Sequence, residues 1–295
     1  MNTTFENPIT SKCMISDISI TGWGNTKTDS TAGQNVTQQA GAKDGRAKVV
    51  KTLIESKRLR DIQKLRSEAY ALHNQYTLPW LDKGGRLIVS SLIMPLKNGM
   101  DKLNNDWLNL IRILGMEWPN LVNQAQYDLG SLYDSSEIPS WADVEKAFTW
   151  TRNIYPVPDV NDFRVDLVGN MAEELSEQYM DALNRKVVDI EKDVAQRLSD
   201  SVSKIVSRIA DYTPDAKTRA DKHVFTDTVL DELRSVISIV DSLNITENAA
   251  IREAAGRARY LLKASPQQLR EDGTKRKAAV VTANSILDSM QAAGF

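Results

Sequence analysis

Cysteine and histidine are nearly missing: Cys13 is the only cysteine, and His73 and His223 are the only histidines, in 295 residues. No internal disulfide can form and no cysteine-based zinc site can be assembled, which suits a reducing, cytoplasmic setting. Neither histidine has a second histidine or a cysteine at ligand spacing. Long hydrophobic runs are missing too. The longest, Leu87 to Leu96, reaches about half a membrane span and contains Ser90, Ser91 and Pro95. The start, Met1 to Ser11, is polar, carries Glu6 and lacks the basic flank of a signal peptide. No sign of charge dominates: 37 basic residues oppose 39 acidic ones, a net charge of −2. Any polyanion-binding surface must therefore be local. A cytoplasmic protein with no membrane partner is expected.

Catalytic signatures are equally sparse. Gly22-Trp23-Gly24-Asn25-Thr26-Lys27-Thr28 lacks the spacing of a phosphate-binding loop, and Gly84-Gly85-Arg86 is too short to form one. No local signature supports a Ser–His–Asp or Cys–His site. Glu173-Glu174 falls on a charged helical face, where solvation explains the pair without acid–base work. Asn35-Val36-Thr37 matches a glycosylation acceptor but has no secretion signal before it. The expectation is a protein without enzymatic activity or cofactor.

What the chain has in abundance is helical periodicity. From about Asn161 to Tyr212 the apolar positions are Leu167, Met171, Leu175, Tyr179, Leu183, Val187, Ile190, Val194, Leu198, Val202, Ile205, Ile209 and Tyr212. Each step is three or four residues, so the set lies along one stripe of a long helix that Pro214 ends. The steps average about 3.75 residues, above the 3.5 of a left-handed coiled coil, which favours bundle packing over a regular two-stranded coil.

Around this ladder the pattern is more varied. Residues 13–23 alternate as a short strand ending in a turn. Residues 24–45, poor in apolar side chains, read as a loop or flexible arm. Helical spacing resumes from about Arg46 to Tyr76, and Thr77-Leu78-Pro79-Trp80 breaks it. A second helix starts near Arg86, with Gly115 fitting its end, and Trp118-Pro119 opens a shorter one to about Leu132. Ser140 with Asp143 forms a capping box, and residues 148–160 read as an extended connector of edge-strand type. Helices then follow at about Lys217 to Leu243, after a Thr246 cap, after Ser265-Pro266, and from about Thr274 to Gln291. The expected fold is mostly α, a long central helix packed by C-terminal helices, with a few short N-terminal and connector strands. Its expected divisions are an N-terminal strand and arm (1–45), a helical domain with the aromatic connector (46–160), and the long helix with a C-terminal bundle (161–295).

Two surfaces stand out, each open to two readings. The segment from Lys43 to Arg66 is basic. Lys48, Lys51, Lys57, Arg58, Arg60 and Lys64, with Tyr76 and Trp80 as stacking faces, would suit single-stranded DNA. The same residues also fit a solvated helix face with its aromatics in the core. The stripe Leu183, Val187, Ile190, Val194, Leu198, Val202, Ile205 and Ile209 could join copies into a homo-oligomer, or form the internal strut of a bundle.

Three motifs carry a resemblance: Ser19-Ile20-Thr21-Gly22-Trp23-Gly24, Tyr76-Thr77-Leu78-Pro79-Trp80-Leu81-Asp82-Lys83-Gly84, and Pro156-Val157-Pro158-Asp159-Val160-Asn161-Asp162-Phe163-Arg164-Val165. Together they resemble an uncharacterised family of tailed-phage and bacterial proteins over roughly residues 13–210. Some members are encoded beside a MoxR-type ATPase and a von Willebrand A-type protein. The resemblance implies a substrate, adaptor or structural partner of an ATP-driven (AAA+) machine or another phage protein, located in the host cytoplasm if phage-encoded. It supplies no binding residue. The leading expectation is a self-associating structural or scaffold/adaptor protein. The alternative is a single-stranded nucleic-acid binder for replication or recombination.

Overall fold

The computed structural model describes residues 7–80, 85–158, 171–210, 212 and 228–295. In chain order its first elements are α1 (Pro8–Lys12), β1 (Cys13–Ile20), β2 (Thr26–Asp29), α2 (Ser30–Gln39), β3 (Val49–Thr52), α3 (Lys57–Tyr76), β4 (Thr77–Leu78) and β5 (Arg86–Val89). There follow α4 (Ile93–Leu129), α5 (Trp141–Lys146), β6 (Trp150–Pro156), α6 (Met171–Ala210), α7 (Thr228–Leu243), α8 (Ala249–Leu261), α9 (Pro266–Glu271) and α10 (Gly273–Ala292). The fold is mostly helical, with a long helix packed by C-terminal helices and a few short strands. No described helix is long and apolar enough to cross a membrane.

The chain forms two compact units, neither contiguous in sequence. One holds residues up to 17, Asn74–Leu96 and Asn153–Phe295; the other holds Ile18–His73 and Lys97–Arg152. This differs from the divisions 1–45, 46–160 and 161–295, because strand pairing and helix docking join segments that periodicity along the chain treats separately.

In the first unit α6 is the strut. Its 40 residues span about 60 Å. The side chains of Leu183, Ile190, Val194, Leu198, Val202, Ile205 and Ile209 are buried, and α7, α8 and α10 pack along the helix. Those helices contribute Leu233, Ile237 and Val240, then Ile251 and the small Ala254, Ala255 and Ala258, then Ala283, Ile286 and Met290. Each fully buried leucine or isoleucine contributes roughly 2 kcal/mol from the water it leaves. The ladder's first stretch, 161–170, and residues 213–227 lie outside the described residues.

Antiparallel pairing sets Cys13 of β1 opposite Val89 of β5 and Thr77 of β4 opposite Ile88, in a sheet ordered β4-β5-β1-β6. β6 stands at the edge, a place that suits the proline at its end, Pro156. A Cβ at Gly85 would run into Cγ2 of Ile15, so any larger residue there would force that side chain of β1 to shift. One guanidinium group ties the sheet to α6 and another braces β4 against β5. Arg197 donates to the carbonyls of Gln75 (3.0 Å) and Thr77 (2.8 Å) and pairs with Asp193 at 2.7 Å. Arg86 donates to the Thr77 hydroxyl at 2.7 Å. Burial, and then the positive charge of Arg197, push the Arg86 pKa down.

The second unit departs most from the periodicity reading. Residues 24–45 hold β2 and α2 where an arm was expected. The cap was there to read, since Asp29 accepts the Ala32 N–H at 2.9 Å. The apolar signal was not, because α2 packs through Gly33 and Thr37. Residues 49–52, expected to begin a helix, pair as β3 with β2, Thr26 opposite Thr52; α3 starts at Lys57. Val50, Leu53 and Ile54 had satisfied helical spacing by coincidence, while adjacent Val49 and Val50 favour a strand. Residues 86–89 are likewise strand, so the second helix begins at Ile93.

α4 then continues through both Gly115 and Pro119. Gly115 is an interior packing position, where a Cβ would meet the Trp141 ring at 2.7–2.8 Å. Trp141 packs on Trp118 (5.6 Å between centroids), and Trp118 on Trp23 (5.2 Å). Trp107 packs on Phe148 (6.0 Å) and Trp150 (5.5 Å). Capping is partly as expected. Ser140 caps α5 and Ser265 with Gln268 forms the box at α9, but Asn248, not Thr246, caps α8.

Candidate functional site

The basic segment does not present one continuous cationic surface. Lys51 is buried, its side chain 4% exposed. Its ammonium pairs with Asp29 (3.2 Å) and Glu137 (2.6 Å) and donates to the Leu132 carbonyl at 2.6 Å. The Glu137 hydrogen bond is the chief cause of the raised Lys51 pKa; the Ala32 N–H, then Lys51, hold Asp29 below the usual carboxylate range. Lys51 is therefore corrected from a nucleic-acid contact to a structural cation joining β2, β3 and the 135–137 turn.

Arg58 lies 3.5 Å from Glu117, Arg60 pairs with Glu55, and Lys64 lies 3.6 Å from Glu68. Each positive charge thus has a carboxylate beside it, which screens a polyanion. Lys48 and Lys57 are exposed and enter no ion pair among the described residues. Trp80, 8% exposed, is core, and Tyr76 is half-buried; both belong to the first unit, whereas Lys48 to Lys64 belong to the second. Of the residues expected to contact nucleic acid, Lys51 and Trp80 are claimed by fold contacts.

The stripe expected to join copies is covered within the chain. Leu183, Ile190, Val194, Leu198, Val202, Ile205 and Ile209 are covered within the chain, and Val187 is half-buried beside them. A side chain enclosed by α7, α8 and α10 has no surface left for a second copy. Periodicity identifies an apolar face but not what covers it.

One exposed surface with large apolar side chains lies on α4. Trp107, Ile111, Leu114, Trp118 and Ala125 form its buried stripe. About 150° round the helix, at 100° per residue, lies a second row: Leu108, Arg112, Met116, Pro119, Asn123 and Tyr127, all exposed. Met116 is 64% exposed and Tyr127 80%. Arg112 is held along the row, donating to Asn109 at 3.0 Å and reaching the Met116 sulfur at 3.8 Å. The row runs about 28 Å at 1.5 Å per residue. Large apolar side chains in line on a rigid helix form an anchor pattern for another helix. Sequence reasoning missed it because Gly115 and Pro119 were read as a helix boundary, which cut the row in two.

Among the described residues no group of three or more His, Cys, Asp and Glu side chains could hold a metal ion. Against family models, curated proteins and solved structures, the chain finds no match.

Proposed function

We propose that this is a non-catalytic, phage-type structural or scaffold/adaptor protein that acts through protein–protein contacts, first between its own copies. The observation that carries the reading is the exposed row on α4. The row is symmetric about its own midpoint: an antiparallel pairing sets Leu108 opposite Tyr127 of the partner subunit, Arg112 opposite Asn123 of the partner subunit, and Met116 opposite Pro119 of the partner subunit. All six are exposed. One helix pair of this length buries less than a standard interface, so a dissociation constant on the order of micromolar is expected. An AAA+ ATPase or another phage protein would engage the assembled form.

The test is sedimentation equilibrium of the full chain and of a Leu108→Glu/Met116→Glu variant. Wild type should self-associate reversibly, and the variant should be monomeric with an unchanged circular dichroism spectrum. A monomeric wild type, or a variant that associates equally well, refutes the α4 assignment. The nucleic-acid alternative is left with Lys48 and Lys57 as cations not engaged in ion pairs. A salt-reversible mass increase that requires a single-stranded oligonucleotide would put it first.

A further inference from the structure

We infer that a groove between α8 and α10 in the first unit binds an acidic, amphipathic peptide segment of a partner protein. The groove has a volume of about 400 Å³, with a floor of Leu261, Ala264, Ala278 and Ala279 and a wall of Tyr260 and Thr282. That is room for one or two apolar side chains, and the alanines let a partner's backbone approach closely. Tyr260 is 66% exposed, costly for an aromatic ring unless another surface covers it.

Charge then selects the occupant. Lys263 and Lys275 stand in the lining, both exposed. Lys263 rests its ammonium 3.9 Å from the Tyr260 ring centroid, and neither lysine pairs with a carboxylate among the described residues. Nearby arginines are already engaged: Arg259 with Asp241 at 2.5 Å, and Arg257 with the hydroxyls of Ser285 and Ser289. An apolar floor between two such ammonium groups matches a segment whose Leu, Ile, Met or Phe side chains are flanked by Asp or Glu. A nucleic-acid strand fits less well: the floor is aliphatic, and Lys263 already occupies one face of the only lining aromatic.

The inference deepens the scaffold reading by naming a second contact surface, and it rests on that reading only for the partner being a protein. The test is selection from a random-peptide display library on the full chain, with counter-selection on the Lys263→Glu/Lys275→Glu variant. Fluorescence anisotropy with the enriched peptides then measures affinity. Enriched peptides should be acidic and amphipathic. The double charge reversal, and separately Ala279→Trp, should each weaken them about tenfold or more. Both lysines are exposed, so the charge variant should fold like wild type. No enrichment, neutral or basic winners, or affinities indifferent to both variants overturn the inference. A single-stranded oligonucleotide that binds wild type and is lost in the charge variant, with no acidic peptide enriched, reassigns the groove to nucleic acid. Repeating the binding on the Leu108→Glu/Met116→Glu background separates the proposals, because failure of one surface leaves the other measurable.

Discussion

Replacing Gly115 with alanine adds one methyl group to the middle of α4, where helix propensity alone predicts a gain of about 1 kcal/mol. The structure predicts the opposite sign. The new Cβ would sit 2.7–2.8 Å from Cε2, Cζ2 and Nε1 of Trp141, well inside the 3.5–4.0 Å of a relaxed carbon contact. An indole is rigid, and this one is packed on Trp118, which is packed on Trp23. The ring must therefore move by nearly an ångström and disturb both neighbours. Overpacking costs about 1–3 kcal/mol and a lost aromatic contact about 0.5–1.5 kcal/mol. After the propensity gain, Gly115→Ala should be destabilised by about 0.5–3.5 kcal/mol. Urea unfolding followed by tryptophan fluorescence reads this directly, since Trp23, Trp107, Trp118, Trp141 and Trp150 share the unit with Gly115. The midpoint should fall by roughly 0.3–1.8 M at a slope of about 2 kcal/mol per molar urea. Gly256→Ala in α8 is the control: nothing lies within 4 Å of its Cβ, so circular dichroism should show a gain of roughly 0.4–1 kcal/mol. A Gly115→Ala protein as stable as wild type would refute the packing assigned to Trp141.

The remaining expectations follow from burial and charge. Leu198→Ala, at a fully buried position on α6, should cost about 2–5 kcal/mol in thermal or urea unfolding while leaving the sedimentation mass unchanged; dissociation of an otherwise stable fold would return the stripe to an interface role. Lys51→Met removes the cation between Asp29 and Glu137 and should lower the unfolding temperature at neutral pH, with much of the loss recovered when acid protonates the carboxylates. In wild type, the lowered Asp29 pKa gives stability that is present above about pH 4 and lost as pH falls through the folded value. The raised Lys51 pKa gives stability that is present below the ordinary lysine value of 10.5 and lost as pH rises through the folded one. A pH–stability curve without those two declines contradicts the triad. Burial pushes the Cys13 thiol up to about 12, so a thiol reagent at neutral pH should leave it unmodified until the chain is unfolded. Rapid native labelling would contradict its place in β1.

The helical class and the α6 ladder were legible because thirteen apolar positions at steps of three and four leave little else for a chain to do. Ser140 and Ser265 were legible because capping is chemistry within four residues. What could not be read were relations between distant segments. Val50 suits either period, and pairing with β2 decides for strand. Gly115 looks like a helix end until Trp141, twenty-six residues on, is set against it. Lys51 looks like any surface lysine until Asp29 and Glu137 arrive from either side in sequence. The candidate surface followed the same rule. The α6 stripe was visible but its cover was not, and the α4 row emerged only once Pro119 proved to be inside a continuous helix.

Association of copies through α4 is read out by sedimentation equilibrium over a range of protein concentrations, with wild type and the Leu108→Glu/Met116→Glu variant run side by side. Wild type should show a concentration-dependent mass, with dissociation on the order of micromolar, and the variant should stay monomeric. A wild-type protein that stays monomeric throughout, or two proteins with the same association curve, would contradict it.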